Sequence, residues 1–134
     1  MMPPVFLDTV GLIALWDQAD PWHPLALPAY ERLIRQRRIL TTTLYILLEC
    51  GNTAAKKPYR DAVTDIYHRL DRHGLLLVPS PREHHEAWMA YTQKRNAAAG
   101  LVDQYSFVAM KSTGISEAFT NDQHFRAAGF VTFF

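Results

Sequence analysis

A single cysteine, Cys50, is all the thiol chemistry this 134-residue chain possesses. An internal disulfide is therefore impossible, a cysteine-rich zinc site is excluded, and a reducing cytoplasm is the expected compartment. Charge of either sign is barely in excess: 14 Lys and Arg against 13 Asp and Glu leave +1, which is not the balance of an indiscriminate nucleic-acid binder. No apolar run approaches the roughly 20 residues that a membrane-spanning helix needs. Met1-Met2-Pro3-Pro4 carries no basic region ahead of its short apolar stretch, so no signal peptide is expected. Repeats and low-complexity tracts are also missing. What the chain does have is core material: 49% hydrophobic residues, including seven Phe, six Tyr and three Trp, against 20% charged. That composition argues against disorder, and the length fits a single domain spanning residues 1–134.

The apolar runs come in short pieces separated by helical patterns. Val5-Phe6-Leu7 follows two prolines and stops at Asp8; a continuous apolar run without alternation is the mark of a buried parallel strand. Residues 9–16 read as a helix packing back on the sheet, and residues 24–38 as a second, with Pro24 in its first turn and Pro28 a kink or a later start. A short strand at residues 39–42 leads through Thr43, an N-cap, into a helix to about residue 57, which Pro58 ends. A helix over residues 58–73 carries Ala62, Val63, Ile66, Tyr67 and Leu70 at 3.6-type spacing, and the run at residues 75–78 is another strand. Pro81 and Glu83 open a helix that frays into a loop at residues 96–100. A helix from residue 101 to Gly114, a strand at 115–120, a short helix at 122–128 and a last strand at 130–133 complete the pattern. Alternating strands and helices predict an α/β fold with a mainly parallel central sheet of about five strands.

Four carboxylates stand at comparable places in this pattern. Asp8 and Asp122 follow strands, Asp103 opens a helix, and Glu49 lies in an otherwise apolar helix start after the second strand. In a parallel sheet these places face one rim, the carboxyl ends of the strands, where ligands bind in open α/β folds. Each has an ordinary alternative: capping for Asp103 and Asp122, and solvent or an ion pair for Glu49. Taken together they would repel one another unless protonated or offset by a divalent cation, and oxygen-only ligands suit Mg²⁺ or Mn²⁺. The histidines give no metal pattern: His84 and His85 diverge on a helix, and His68 and His73 miss the i,i+4 spacing. His124, near Asp122, reads as a helix-surface residue. Three basic clusters, at residues 32–38, 56–60 and 94–95, read as solvated helix ends or, if they share the acidic face, as a phosphate-tracking rim.

Val5-Phe6-Leu7-Asp8-Thr9, the helical Glu49, Leu101-Val102-Asp103-Gln104-Tyr105-Ser106 and Thr120-Asn121-Asp122-Gln123-His124-Phe125 together resemble the four signatures of the PIN-domain ribonucleases, especially the VapC-type toxins of toxin-antitoxin systems. Order, relative spacing and overall length all match, across essentially the whole chain. The resemblance implies a three-layer α/β/α sandwich with an acidic pocket at the strands' carboxyl ends. It implies Mg²⁺- or Mn²⁺-dependent endoribonuclease activity, a small antitoxin protein that blocks the pocket, and a homodimer. Asp8, Glu49, Asp103 and Asp122 fall on the family's four acidic positions, and Thr9, Ser106, Thr120 and Asn121 on its polar supporting ones. Asp8 and Asp103 are then expected as direct metal ligands, Asp122 as a ligand directly or through water, and Glu49 as a residue that orients water or serves a second metal.

Rival readings fare less well on the residues. A phosphoacceptor receiver module, a non-catalytic α/β regulator, wants paired acids after its first strand and a lysine near its last, yet Asp8 is alone and no Lys follows Lys111. An aspartyl phosphohydrolase wants a second Asp two residues after the first, where Val10 stands. A PIN-fold nuclease of RNA processing or repair, outside any toxin system, remains compatible with the sequence.

Overall fold

The computed structural model describes residues 2–134. Five strands form one sheet: β1 (Val5–Leu7), β2 (Leu40–Thr43), β3 (Leu76–Leu77), β4 (Glu117–Phe119) and β5 (Val131–Thr132). Their spatial order is β3-β2-β1-β4-β5, and every pairing is parallel. β1 is central and fully buried, which is why it reads as an unbroken apolar run. Helices α1 (Thr9–Trp16), α2 (His23–Arg35), α3 (Leu44–Ala54), α4 (Arg60–Arg72), α5 (Pro81–Thr92), α7 (Leu101–Ser112) and α8 (Gln123–Ala127), with the four-residue turn α6 (Arg95–Ala98), supply the connections. The result is a three-layer α/β/α arrangement, and its core is built on Val5, Phe6, Leu7, Leu12, Leu33, Ile46, Phe107, Met110, Phe119 and Phe125.

Local chemistry explains the element starts. Thr43 accepts the N–H of Ile46 and so caps α3, while Ser80 and Glu83 form a reciprocal capping box at α5 with Pro81 in the first helical position. α1 packs so closely on the end of β4 that a Cβ on Gly11 would stand 2.0 Å from the Phe119 carbonyl oxygen. Only glycine fits, and this approach brings the start of α1 beside the end of β4.

Several sequence expectations need correcting. Residues 96–100 were expected as a fraying loop, but Arg95–Ala98 forms a turn whose residues Asn96 and Ala98, with Lys94 before it, adopt positive φ. α2 stops at Arg35, short of residue 38, where Arg37 turns to positive φ, and α3 stops at Ala54, short of residue 57, where the Lys57 N–H closes a tight turn on the Ala54 carbonyl. Pro28 lies inside α2 rather than starting it. Arg38, grouped by sequence with the surface cations, is buried and pairs with Glu117. Ile66 belongs to the core, whereas Leu27 is exposed and Tyr45 is half-buried. Trp22, Trp88 and Tyr91 are about half exposed.

Candidate metal centre

The carboxyl ends of the parallel strands share one edge of the sheet, and all four predicted acids start from elements that leave it. Asp8 occupies the N-cap position of α1, but its side chain does not cap the helix. It is 2% exposed and instead accepts a hydrogen bond of 2.8 Å from the Thr120 hydroxyl, at the end of β4. Thr120 in turn accepts the backbone N–H of Asp122, so one buried hydroxyl fixes two of the acids relative to each other. Asp122 caps α8 by accepting the His124 N–H at 2.8 Å; capping and membership of the acidic cluster prove compatible. Asp103 sits in the first turn of α7, whose N-cap is Gly100. Glu49, on α3, accepts a 2.6 Å hydrogen bond from the Thr9 hydroxyl, which ties the fourth acid to the residue after the first.

Burial and mutual repulsion both act on these groups. Desolvation pushes the Asp8 carboxyl from its ordinary 3.8 up to about 7; the Thr120 hydrogen bond opposes this, and the charges of Asp103 and Asp122 add to it. Asp103 is pushed up to about 6 by desolvation and then by Asp122, with the nearby His124 pulling it down and Glu49 adding to the rise. Asp8 thus feels Asp103 and Asp122, and Asp103 feels Asp122 and Glu49, so the four acids form one electrostatically coupled group.

The tightest potential ligand set is Asp103, Asp122 and His124, each offering an atom within 4.8 Å of the others. His124 Nδ1 lies 3.1 Å from Asp122 Oδ1 and 3.8 Å from Asp103 Oδ2. By sequence His124 reads as a helix-surface residue, whereas its ring lies between the two carboxylates. Its signal was only its position two residues after Asp122, and the bend from the end of β4 into α8 turns it back toward Asp103. The donor set fits a hard divalent cation: carboxylate oxygens dominate, and an ion there would offset the burial and mutual repulsion that push the Asp8 and Asp103 carboxyls up. The Ser106 hydroxyl, one turn after Asp103, is fully buried and has no hydrogen-bond partner among the described residues. Asn121 is half-buried between Thr120 and Asp122.

Two further features were not legible in the sequence. Tyr45, one turn before Glu49 on α3, hydrogen-bonds His84 Nε2 at 3.0 Å, and His84 Nδ1 meets the Tyr105 hydroxyl at 2.8 Å. This cluster ties α3 and α7, the helices of Glu49 and Asp103, to α5. Gln104, beside Asp103, is buried, donates to the Arg95 carbonyl at 2.8 Å and accepts from Asn96 Nδ2 at 2.9 Å. Of the basic clusters, residues 94–95 are therefore held against the start of α7. Arg32 and Arg35, in the last turn of α2, lie toward the opposite edge, where β2 begins. Cys50, buried next to Glu49, has its thiol pushed up to about 12, chiefly by desolvation, so it offers no thiolate nucleophile.

No family model and no curated protein matches the chain. Solved structures do. Mycobacterium tuberculosis VapC20, described as a sarcin-ricin loop cleaving toxin, superposes with a TM-score of 0.73 at 24% identity, covering 95% of this chain and 96% of that one. FitAcB from Neisseria gonorrhoeae gives 0.63 at 16% identity, over 97% and 96%, and PAE2754 from Pyrobaculum aerophilum 0.58 at 17%, over 97% and 89%. The chain has the PIN-like three-layer α/β/α fold that its sequence resemblance implies.

Proposed function

We propose that the chain is a metal-dependent endoribonuclease that hydrolyses RNA phosphodiester bonds and serves as the toxin of a toxin-antitoxin pair. The observation that carries this reading is the buried Asp8, coupled to Asp103 and Asp122 at the carboxyl edge of the sheet and held near pKa 7. A carboxylate cluster raised first by burial and then by its neighbours' charge suits a divalent cation, Mg²⁺ or Mn²⁺. The likeness to VapC20, itself a toxin that cleaves the sarcin-ricin loop, favours RNA as substrate and a small antitoxin as partner.

Asp8, Asp103 and Asp122 would hold the ion, with His124 beside them, and Glu49 would take a water or a second ion. Such an ion, when bound, activates water and neutralises charge developing on the scissile phosphate. The chain's own residues supply the rest. Thr120 keeps one oxygen of Asp8 oriented by donating to it. Thr9 fixes Glu49 in the same way, so that the carboxylates are preorganised before substrate arrives. Arg95, whose backbone carbonyl accepts from Gln104 at the start of α7, would supply a cation for the RNA backbone.

Asp8→Asn and Asp103→Asn should each abolish Mg²⁺- or Mn²⁺-dependent cleavage of RNA while circular dichroism stays native; cleavage that persists in both defeats the assignment. Exposed apolar side chains on α2, α3 and α5, among them Leu27, Leu48 and Trp88, favour a homodimer, and sedimentation that finds only monomer would refute it. The toxin assignment predicts a small DNA-binding protein encoded in the neighbouring reading frame. Among the described residues no helix is long and apolar enough to cross a membrane, and the proposed place of action is the cytoplasm.

A further inference from the structure

Tyr45, His84 and Tyr105 come from three different helices, and their polar atoms meet. Tyr45 lies in the first turn of α3, and His84 and Tyr105 lie in the N-terminal halves of α5 and α7. The imidazole stands between the two phenols: its Nε2 is 3.0 Å from the Tyr45 hydroxyl and its Nδ1 2.8 Å from the Tyr105 hydroxyl. A neutral imidazole has one N–H and one bare nitrogen. It therefore accepts from one tyrosine and donates to the other, so a single ring serves both. The two tyrosine rings pack against each other with centroids 4.7 Å apart, and each meets His84 nearly edge-on, at 82° and 79°. Tyr105 is buried, and the other two are half-buried.

Each tyrosine also stands close to an acid on its own helix. Glu49 follows Tyr45 by four residues, one helical turn, on the same face of α3, and Asp103 precedes Tyr105 by two on α7. The two acids sense each other, since the charge of Glu49 adds to the rise of the Asp103 carboxyl. Apolar packing between helices is non-directional and tolerates small slides, whereas hydrogen bonds at fixed lengths and angles do not. A phenylalanine at position 84 would fill much the same space and hold neither hydroxyl.

We propose that His84 is a positioning residue: by bridging Tyr45 and Tyr105 it holds Glu49 on α3 at the separation from Asp103 on α7 that a divalent cation requires. This rests on the reading of the four acids as a metal centre. Among the described residues His84 makes no hydrogen bond to any of those acids; it acts through the two helices that carry them.

The test is Mn²⁺ binding to the full chain, measured by calorimetry without RNA. His84→Phe should bind Mn²⁺ about fivefold more weakly, the worth of one net hydrogen bond, and His84→Gln, which keeps a donor and an acceptor, should recover most of the loss. Tyr45→Phe, a milder change that deletes one hydroxyl, should weaken binding in the same direction. In a Glu49→Gln background, His84→Phe should cost less than about twofold, because the group it positions has lost its charge. Ser80→Ala loosens α5 at its cap, away from the three rings, and should leave Mn²⁺ affinity at the wild-type value. With RNA present, the Mg²⁺ concentration for half-maximal cleavage should rise in His84→Phe while the rate at saturating Mg²⁺ and the KM for RNA stay within about twofold. Wild-type Mn²⁺ affinity in His84→Phe and Tyr45→Phe, an equal loss with Glu49 replaced, or a matching loss in Ser80→Ala would each overturn the proposal. A wild-type chain that binds no Mn²⁺ defeats the metal centre and this proposal with it. Absence of RNA cleavage by a wild type whose Mn²⁺ series behaves as expected refutes the ribonuclease reading alone.

Discussion

Replacing Asp8 by Asn should stabilise this protein above neutral pH while destroying its proposed activity, and the size of the effect follows from burial. In the folded chain the Asp8 carboxyl titrates at about 7 instead of its ordinary 3.8. An acid whose folded pKa is raised binds its proton more tightly in the native than in the unfolded state. Stability is therefore highest at low pH and is lost as pH rises from about 4 to about 7. At ~1.4 kcal/mol per tenfold change in proton affinity, ionising Asp8 inside the fold costs about 4 kcal/mol at pH 8 as an upper figure. Asn keeps the shape and still offers an oxygen to the Thr120 hydroxyl, but carries no charge. In metal-free buffer at pH 8, Asp8→Asn should thus gain part of that amount, with a Tm increase on the order of 10 °C, and the gain should vanish by pH 4. Urea unfolding from pH 4 to 8 reads this directly. Adding Mg²⁺ should narrow the gap, because the ion stabilises the wild-type carboxylate and has less to hold in the variant. A variant no more stable than wild type at pH 8, or a difference that does not change with pH, would refute the account of Asp8 as a buried and electrostatically strained acid.

Other perturbations probe the supports. Thr120→Val preserves shape but removes the donor to Asp8 and the acceptor for Asp122 N–H; it should cost about 1–3 kcal/mol in urea unfolding and move the Asp8 titration, followed by carboxyl carbon NMR, to higher pH. Gly11→Ala drives a methyl into the Phe119 carbonyl and should cost about 3 kcal/mol or more, or abolish folding; a near-native Tm would show that α1 can retreat from β4. Ser80→Ala breaks the capping box of α5 and should cost about 1 kcal/mol, with RNA cleavage unchanged because this cap lies outside the acidic cluster.

The sequence by itself determined the class of the fold and the places from which the acids depart. Apolar runs such as Val5-Phe6-Leu7, buried on both faces, can only be interior strands, and the helical periods between them force parallel pairing. With that settled, Asp8, Glu49, Asp103 and Asp122 had to leave the same sheet edge, because strand ends and the helix starts that follow them share it. Turn chemistry was equally local: Thr43, Ser80 and Pro81 announce their helices through backbone hydrogen bonds that reach only three residues. Distances across the chain were beyond it. That Thr120 reaches Asp8 112 positions away, that Thr9 holds Glu49, and that His124 turns back to Asp103 depend on how closely α1, α7 and α8 pack against the sheet. Gly11 permits that approach, and its role shows only against Phe119. Burial reversed several local readings for the same reason. Arg38 looked like one more surface cation until Glu117, on a strand far away in sequence, drew it inside. Pattern fixes which side chains share an edge or a face; only the packed tertiary structure decides which of them touch, which lose water, and so which acquire unusual chemistry.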